Sequence, residues 1–415
     1  MSVPRVLLLE AGTGMGQNAG EIFLRQLCHY YPKDALCRLA VTHGKDDAPG
    51  EDWIGFPIAY VRHPRERGLG VLGRFSWLTT LPLHWYIRNI RVPALTASAV
   101  QFARRHSVEL VWAFLNSPTL IYMAPRVAAA LGVPLVATIW DPPERFAVDQ
   151  RLDPVSRRML LRRFADALRM AVRCGVASEG MQEEYRSRYN VDSVVLIHGV
   201  HPGLRRPPAT HLSREGQFII GIAGSLYADR EFQALLSALS SVGWRLDGRD
   251  VTVRVLGADL RLRAQGRMRV EYLGWRPLDE TIDLMSQTDV GYLPYWFDKR
   301  YDLAVRLCFP NKMTTYLAAG RPVLFHGPED SSPAHFLRRF PAGLCCHSLD
   351  QSEIIESLRR FAADPEFYAS AAQAGQRALD EELDLQVFLR RFAMLVGIEE
   401  GELLPAMDTM PLTFP

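Results

Sequence analysis

Apolar runs of four to eight residues alternate along the chain with longer stretches of helical period, the pattern of repeated strand–helix units in parallel sheets. In the first half the clearest strand runs are RVLLLE, LVWAFL and PLVATIW, and LCRLAVT reads as another. Helical periods lie over Glu21–Tyr30, Ala94–Arg105 and Tyr122–Leu131. The pattern then breaks. HPGLRRPPATHLSREG, His201 to Gly216, has three prolines after His201 and no apolar periodicity, and reads as an interdomain connection. FIIGIAG, VTVRVLG, VEYLGW, VGYLPY and PVLFHG restart the series, and from Asp350 the period is helical. The expected class is α/β: two Rossmann-like parallel-sheet domains facing a central cleft. The boundaries read as a first domain over 1–203, a linker over 204–216, a second domain over 217–382, and a helix and tail over 383–415 that can pack back on the first domain.

Totals agree with two domains. The chain has 415 residues, 48% hydrophobic and 23% charged, enough apolar material for two cores. Its formal charge of +2 supplies no global field for a nucleic acid, which is excluded as a partner. The six cysteines contain no C-x-x-C pair, so neither a zinc site nor a disulfide framework is expected. Val6–Leu9 is too short for a signal sequence and is closed by Glu10. No uncharged apolar run approaches the ~18 residues of a spanning helix. The expectation is a cytoplasmic protein.

In parallel α/β domains, ligands bind outside the carboxyl ends of the strands, so the loops directly after strands carry the candidates. AGTGMGQNAG contains Gly14 and Gly16, but its spacing is G-x-G-x-G, with Gln17 where a dinucleotide fingerprint needs glycine. A tight turn and a cleft-lining loop both remain open for it. After LVWAFL come Asn116 and Ser117, and after PLVATI comes WDPPE, whose Asp141 can take a proton from an attacking hydroxyl or simply shape a turn before Pro142. GSLYADREF follows FIIGIAG: Gly224 and Ser225 turn away from the strand, and Arg230 falls near a helix start, where a guanidinium beside backbone amides suits a diphosphate. The alternative is an exposed arginine on a solvated helix. The most informative stretch is FPNKMTTYLAAGRPVLFHG. Pro310 starts a helix, Asn311, Lys312 and Thr315 lie in its first two turns, and Gly320 ends it. A lysine in a first turn opposes the helix macrodipole and becomes useful when an anion sits there.

These segments together, GIAGSLYADREFQALLSAL, VEYLGWRPLDETIDLMSQTDVGYLPY, VVLIHGVHP and above all FPNKMTTYLAAGRPVL, resemble glycosyltransferase family 4, of GT-B architecture, over nearly the whole chain. The resemblance implies transfer from a nucleoside-diphosphate sugar, held by the second domain, to an acceptor in the first, with no metal or other cofactor; the sequence has no D-x-D triplet. Gly274, Trp275 and Tyr295 then join Gly224, Ser225, Arg230, Pro310, Asn311, Lys312 and Thr315 as candidate donor-binding residues. Gly14, Gly16, Asn116 and Ser117 line the acceptor side, with Asp141 as the catalytic candidate. Three departures stand out. The family's paired glutamates fall at Leu307 and Thr315, Ser225 replaces one of two diphosphate cations, and Trp140 stands where the first domain has a histidine. The stereochemical outcome is therefore not carried over, and a non-catalytic nucleotide-sugar-binding subunit is the rival reading, with an epimerase behind it.

Charge is unevenly placed. Between Arg62 and His106 there are eight arginines and Glu66. RFSWLTTLPLHWYIRNIR mixes Trp77, Leu78, Leu81, Trp85 and Tyr86 with arginine, and VSRRMLLRRFADALRM adds a basic helix. Two readings stay open: a face for an anionic membrane, with a lipid-linked sugar or other glycan precursor as acceptor, or aromatics packed on the first domain beneath solvated arginines.

Overall fold

The computed structural model describes residues 3–12, 19–42, 55–63, 65–68, 75, 77–257 and 268–403. The chain divides into two compact units: the residues up to 196 together with the return from 389, and residues 197–388.

The first unit runs β1 (Val6–Ala11), α1 (Ala19–Tyr30), β2 (Leu36–Thr42), β3 (Ile58–Arg62), α2 (Thr80–Tyr86), α3 (Val92–Arg105), β4 (Leu110–Phe114), α4 (Pro118–Leu131), β5 (Leu135–Ile139), α5 (Pro143–Asp149), α6 (Pro154–Met170), β6 (Ala171–Val176), α7 (Glu179–Tyr189) and β7 (Ser193–Val195). Its seven strands lie in the order β3-β2-β1-β4-β5-β6-β7, every pair parallel. The order reverses between β1 and β4, which makes their carboxyl ends the topological switch point of this sheet. β2, β4 and β5 are buried at every position, because helices cover both faces, and this is why they read as unbroken apolar runs. The edge strands β3 and β7 are half-buried and less apolar. Residues from 389 onward close the unit: Phe392 lies 5.2 Å ring to ring from the buried Trp112.

The second unit runs β8 (Gln217–Gly224), α8 (Asp229–Ser241), β9 (Arg245–Leu246), β10 (Arg249–Gly257), β11 (Val270–Gly274), α9 (Leu278–Met285), β12 (Val290–Pro294), α10 (Asp302–Leu307), α11 (Asn311–Ala318), β13 (Val323–His326), α12 (Ser332–Arg339), β14 (Gly343–Cys346), α13 (Gln351–Ala363), α14 (Pro365–Ala378) and the first turn of α15 (Leu385–Val396). The order β11-β10-β8-β12-β13-β14 repeats the first topology, with β9 antiparallel to β10 at the margin and the switch point between β8 and β12. Successive residues face opposite layers: Ile220 and Ile222 pack with Leu324 on one side, Ala223 with Val323 and Phe325 on the other.

Residues 204–216 run along the second unit. The Arg206 amide donates to the Ala318 carbonyl at 2.8 Å, the Ala209 amide to the Gly320 carbonyl at 2.9 Å, and the Ser213 amide to Asp289 Oδ1 at 2.5 Å. Gly320, just past α11, holds φ +70°, and a Cβ there would stand 2.1 Å from the Pro207 carbonyl oxygen. Only glycine fits both the left-handed backbone and the close approach.

Candidate functional site

Each unit presents its candidates at the carboxyl ends of its strands. In the second unit, β8 ends at Gly224, whose φ of +75° turns the chain out of the sheet, and Gly224 and Ser225 are exposed. Lys312, in the first turn of α11, reaches this loop. Its Nζ donates to the Ser225 carbonyl and lies 4.7 Å from the centre of the Tyr227 ring. Burial of the amine among these groups pushes its pKa down, to about 7. Pro310 occupies the N-cap of α11 and offers no side-chain acceptor, so the leading amides, Asn311 among them, lack a capping side chain. Thr315 Oγ1 lies 3.5 Å from the Asn311 carbonyl, one turn back along the helix. An ammonium and a helix N-terminus thus converge on the exit of the strand at the switch point, a combination suited to an anion.

Arg230 is exposed in the first turn of α8, where its charge acts on Asp298. Asp298, paired chiefly with Arg300, is held at a pKa of about 2. Tyr295, directly after β12, is buried and donates its hydroxyl hydrogen to the Cys308 carbonyl at 3.2 Å. Gly274 closes β11 with φ +67°, and Trp275 follows it with 43% of its surface exposed.

Residues that periodicity did not single out build the wall beside Lys312. Trp296 Nε1 donates to the Tyr227 carbonyl at 2.8 Å, and its ring stacks on Tyr301 at 4.6 Å. Glu231, 2% exposed, accepts the Phe297 amide at 2.9 Å and so ties the loop after β12 to the start of α8. The available signal was the aromatic run YWFDKRY directly after a strand. Leu307, at one of the positions expected to carry glutamate, is buried in the apolar interior.

In the first unit, Asn116 and Ser117 leave β4 at the switch point. Ser117 is the N-cap of α4, its hydroxyl accepting the Leu120 amide at 3.3 Å. Asn116 Oδ1 is shielded from solvent and has no hydrogen-bond partner among the described residues. Asp141 leaves β5 with its Oδ1 accepting from Arg145 Nη1 at 2.6 Å, an i, i+4 pair, with both side chains 29% exposed. Trp140 packs 4.6 Å from Phe114 and edge-on to Phe23 at 5.1 Å, which makes it part of the wall. Gly14 and Gly16 lie outside the described residues. On the strands themselves, buried Arg38 of β2 donates through Nε to Glu10 Oε1 of β1 at 2.9 Å.

A buried polar hub, also unread in the sequence, joins four segments of this unit. Glu66 Oε1 accepts the Thr119 amide at 2.8 Å and the Thr119 hydroxyl at 2.5 Å, at the first turn of α4. Gln150 Nε2 donates to Glu66 Oε2 at 3.2 Å, and His84 Nε2 donates to the Glu66 carbonyl at 2.9 Å. His63 Nε2 stands 3.0 Å from the Thr119 hydroxyl.

No protein-family model matches the chain, and no curated protein matches it. Solved structures do. HepE from Anabaena, in complex with UDP and glucose, superposes with a TM-score of 0.64 at 16% identity, over 95% of this chain and 99% of its own. Sucrose-phosphate synthase from Thermosynechococcus elongatus gives 0.66 at 13% identity, over 95% and 97%. The lipopolysaccharide outer core galactosyltransferase WaaB, in its apo form, gives 0.59 at 12% identity, over 94% and 98%. The likeness spans almost the full length of each chain, and two successive Rossmann-ordered sheets give this protein the GT-B fold.

Proposed function

We propose that this protein is a glycosyltransferase that moves a sugar from a nucleoside-diphosphate sugar to an acceptor hydroxyl. One observation carries the reading: the Lys312 ammonium and the N-terminus of α11 meet the exposed Gly224–Ser225 loop at the switch point of the second sheet. A diphosphate there would take the amides of α11, the ammonium and the Arg230 guanidinium. Gly274, Trp275, Tyr295 and Thr315 would hold the nucleoside and sugar. HepE, a protein of this fold, was solved with UDP-glucose, which supports a donor of that class.

In the reaction an acceptor oxygen attacks the anomeric carbon while the bond to the diphosphate breaks and its electron pair leaves with the phosphate. Asp141 would receive the acceptor proton, and Arg145 holds that carboxylate in place. Asn116, Ser117, Gly14 and Gly16 would border the acceptor, a glycan or lipid-linked sugar met at the cytoplasmic face of an anionic membrane. Stabilising the leaving diphosphate is electrostatic work that these cations and amides can do with no metal or other cofactor.

A thermal-shift panel of UDP, GDP and dTDP tests the donor site, since a ligand that binds the native state raises its stability by mass action. One nucleotide should raise the melting temperature, and Lys312→Ala should weaken its binding by about ten- to a hundredfold, the loss of a charge-assisted contact. No response to any nucleotide would overturn the assignment. The buried Leu307, and Thr315 beside its own helix carbonyl, favour the second reading of a binding subunit without turnover. Nucleotide binding with no donor hydrolysis and no transfer would select it.

A further inference from the structure

The helix α2 is inside out. Its two buried positions, Thr80 and His84, are polar and one turn apart, while Leu83 is half-buried and Leu81, Trp85 and Tyr86 face solvent. Leu81 is 46% exposed and Trp85 55%; Tyr86 is exposed beside them. The exposed apolar surface extends backward to Trp77 and Leu78, and forward to Ile90 in the five-residue π-helical turn that joins α2 to α3. The inward face is held by polar bonds. The Thr80 hydroxyl lies 3.0 Å from Asp153 Oδ2 and accepts the Asp153 amide at 2.9 Å, and His84 donates to the Glu66 carbonyl at 2.9 Å. Burying Thr and His while leaving two tryptophans and two leucines in water reverses the ordinary sorting of side chains, and contiguous exposed apolar area of this kind marks an interaction surface.

Charge selects the partner. From Arg67 to His106 the sequence holds six arginines and no acidic residue. Glu66, the acid just before, is 4% exposed and spent on Thr119 and Gln150, so it does not offset them at the surface. α6, anchored to α2 through Asp153, adds exposed Arg157, Arg158 and Arg162. An apolar ridge with Arg88 and Arg91 at its end, and no acidic residue in the sequence from Arg67 to His106, repels a second copy of itself and fits an anionic interface, where tryptophan and tyrosine sit at headgroup level and arginine meets lipid phosphate.

We infer that the α2 ridge, Trp77 to Ile90, docks the protein on an anionic phospholipid surface, with the Thr80–Asp153 and His84–Glu66 bonds holding the apolar face outward. The inference rests on the functional reading only for the acceptor it would bring near, since the surface itself needs no donor.

The test is flotation of the full chain with vesicles of phosphatidylglycerol and phosphatidylcholine, and with phosphatidylcholine alone, at low and high salt. Binding should require the anionic lipid, weaken with salt, and fall by about tenfold or more in the Leu81→Ser, Trp85→Ser double variant. Both positions are exposed, so the variant should keep its melting temperature; Met394→Ser, a 58% exposed residue on α15, should bind as the parent does. Absence of binding to either vesicle, equal binding to both, or a parent dimer in light scattering that the double variant abolishes would each overturn the inference. UDP stabilisation measured on the same proteins keeps failure here distinct from failure of the donor site.

Discussion

Lys312 donates to the carbonyl oxygen of Ser225, so the one lysine of the FPNK motif bridges α11 to the loop that leaves β8. This contact joins two segments 87 residues apart at a single strand end. It also places an amine where its protonation state matters.

Burial lowers the Lys312 pKa to about 7, and a bound diphosphate would raise it again by supplying opposite charge. Below pH 7 the ammonium is already present and nucleotide affinity should be flat on this account. Above it each bound nucleotide must bring a proton, and affinity should fall by up to about tenfold per pH unit until the pKa of the complex is passed. Calorimetric titration of UDP, or of whichever nucleotide the panel selects, between about pH 7.5 and 9 avoids the terminal phosphate's own titration near 6. Lys312→Arg should flatten the slope; a parent protein with no slope would show that the amine does not meet the anion.

Asp141→Asn keeps an oxygen for Arg145 and removes the proton acceptor. Transfer measured by product chromatography should fall by roughly a hundredfold or more, with nucleotide stabilisation unchanged. Unimpaired transfer would take Asp141 out of the chemistry.

Arg38 and Glu10 form a buried ion pair, with 0% and 3% of their side chains exposed. Arg38→Met takes the guanidinium away from a buried carboxylate and should cost about 3–5 kcal/mol in denaturant unfolding of the first unit. Adding Glu10→Leu should recover most of it, because the apolar pair has no charge to desolvate. A double variant as weak as the single would argue that the guanidinium matters for more than neutralising Glu10.

Gly320→Ala combines a left-handed φ with a Cβ 2.1 Å from the Pro207 oxygen. The chain at 206–209 must shift, breaking the bonds to Ala318 and Gly320, and stability should fall by about 2 kcal/mol or more. An unchanged melting temperature would mean that this segment is not held where the structure has it.

The central strands were legible because they are buried on both faces and therefore apolar at nearly every position, as in VLLLE and LVWAF. β3, β6, β7 and β14 each carry half-buried or exposed positions, so the unbroken apolar run that marks a central strand is missing from their sequences. The Ser117 hydroxyl caps α4, and the Ser-Pro pair after β4 carries that signal in the sequence, a capping residue followed by proline at the first helical position.

Periodicity and the order of motifs along the chain were enough to establish two parallel α/β units, because local burial demands are written into each segment's own residues. Tertiary structure alone decided which side chains meet. It brought Lys312 to Ser225, paired Arg38 with Glu10, gathered Glu66, Thr119, His84 and Gln150 into one hub, and turned the apolar side of α2 outward. Hydrogen bonds and ion pairs act over about 3 Å. Which residues come that close depends on the path of the whole chain, and no window of sequence contains it.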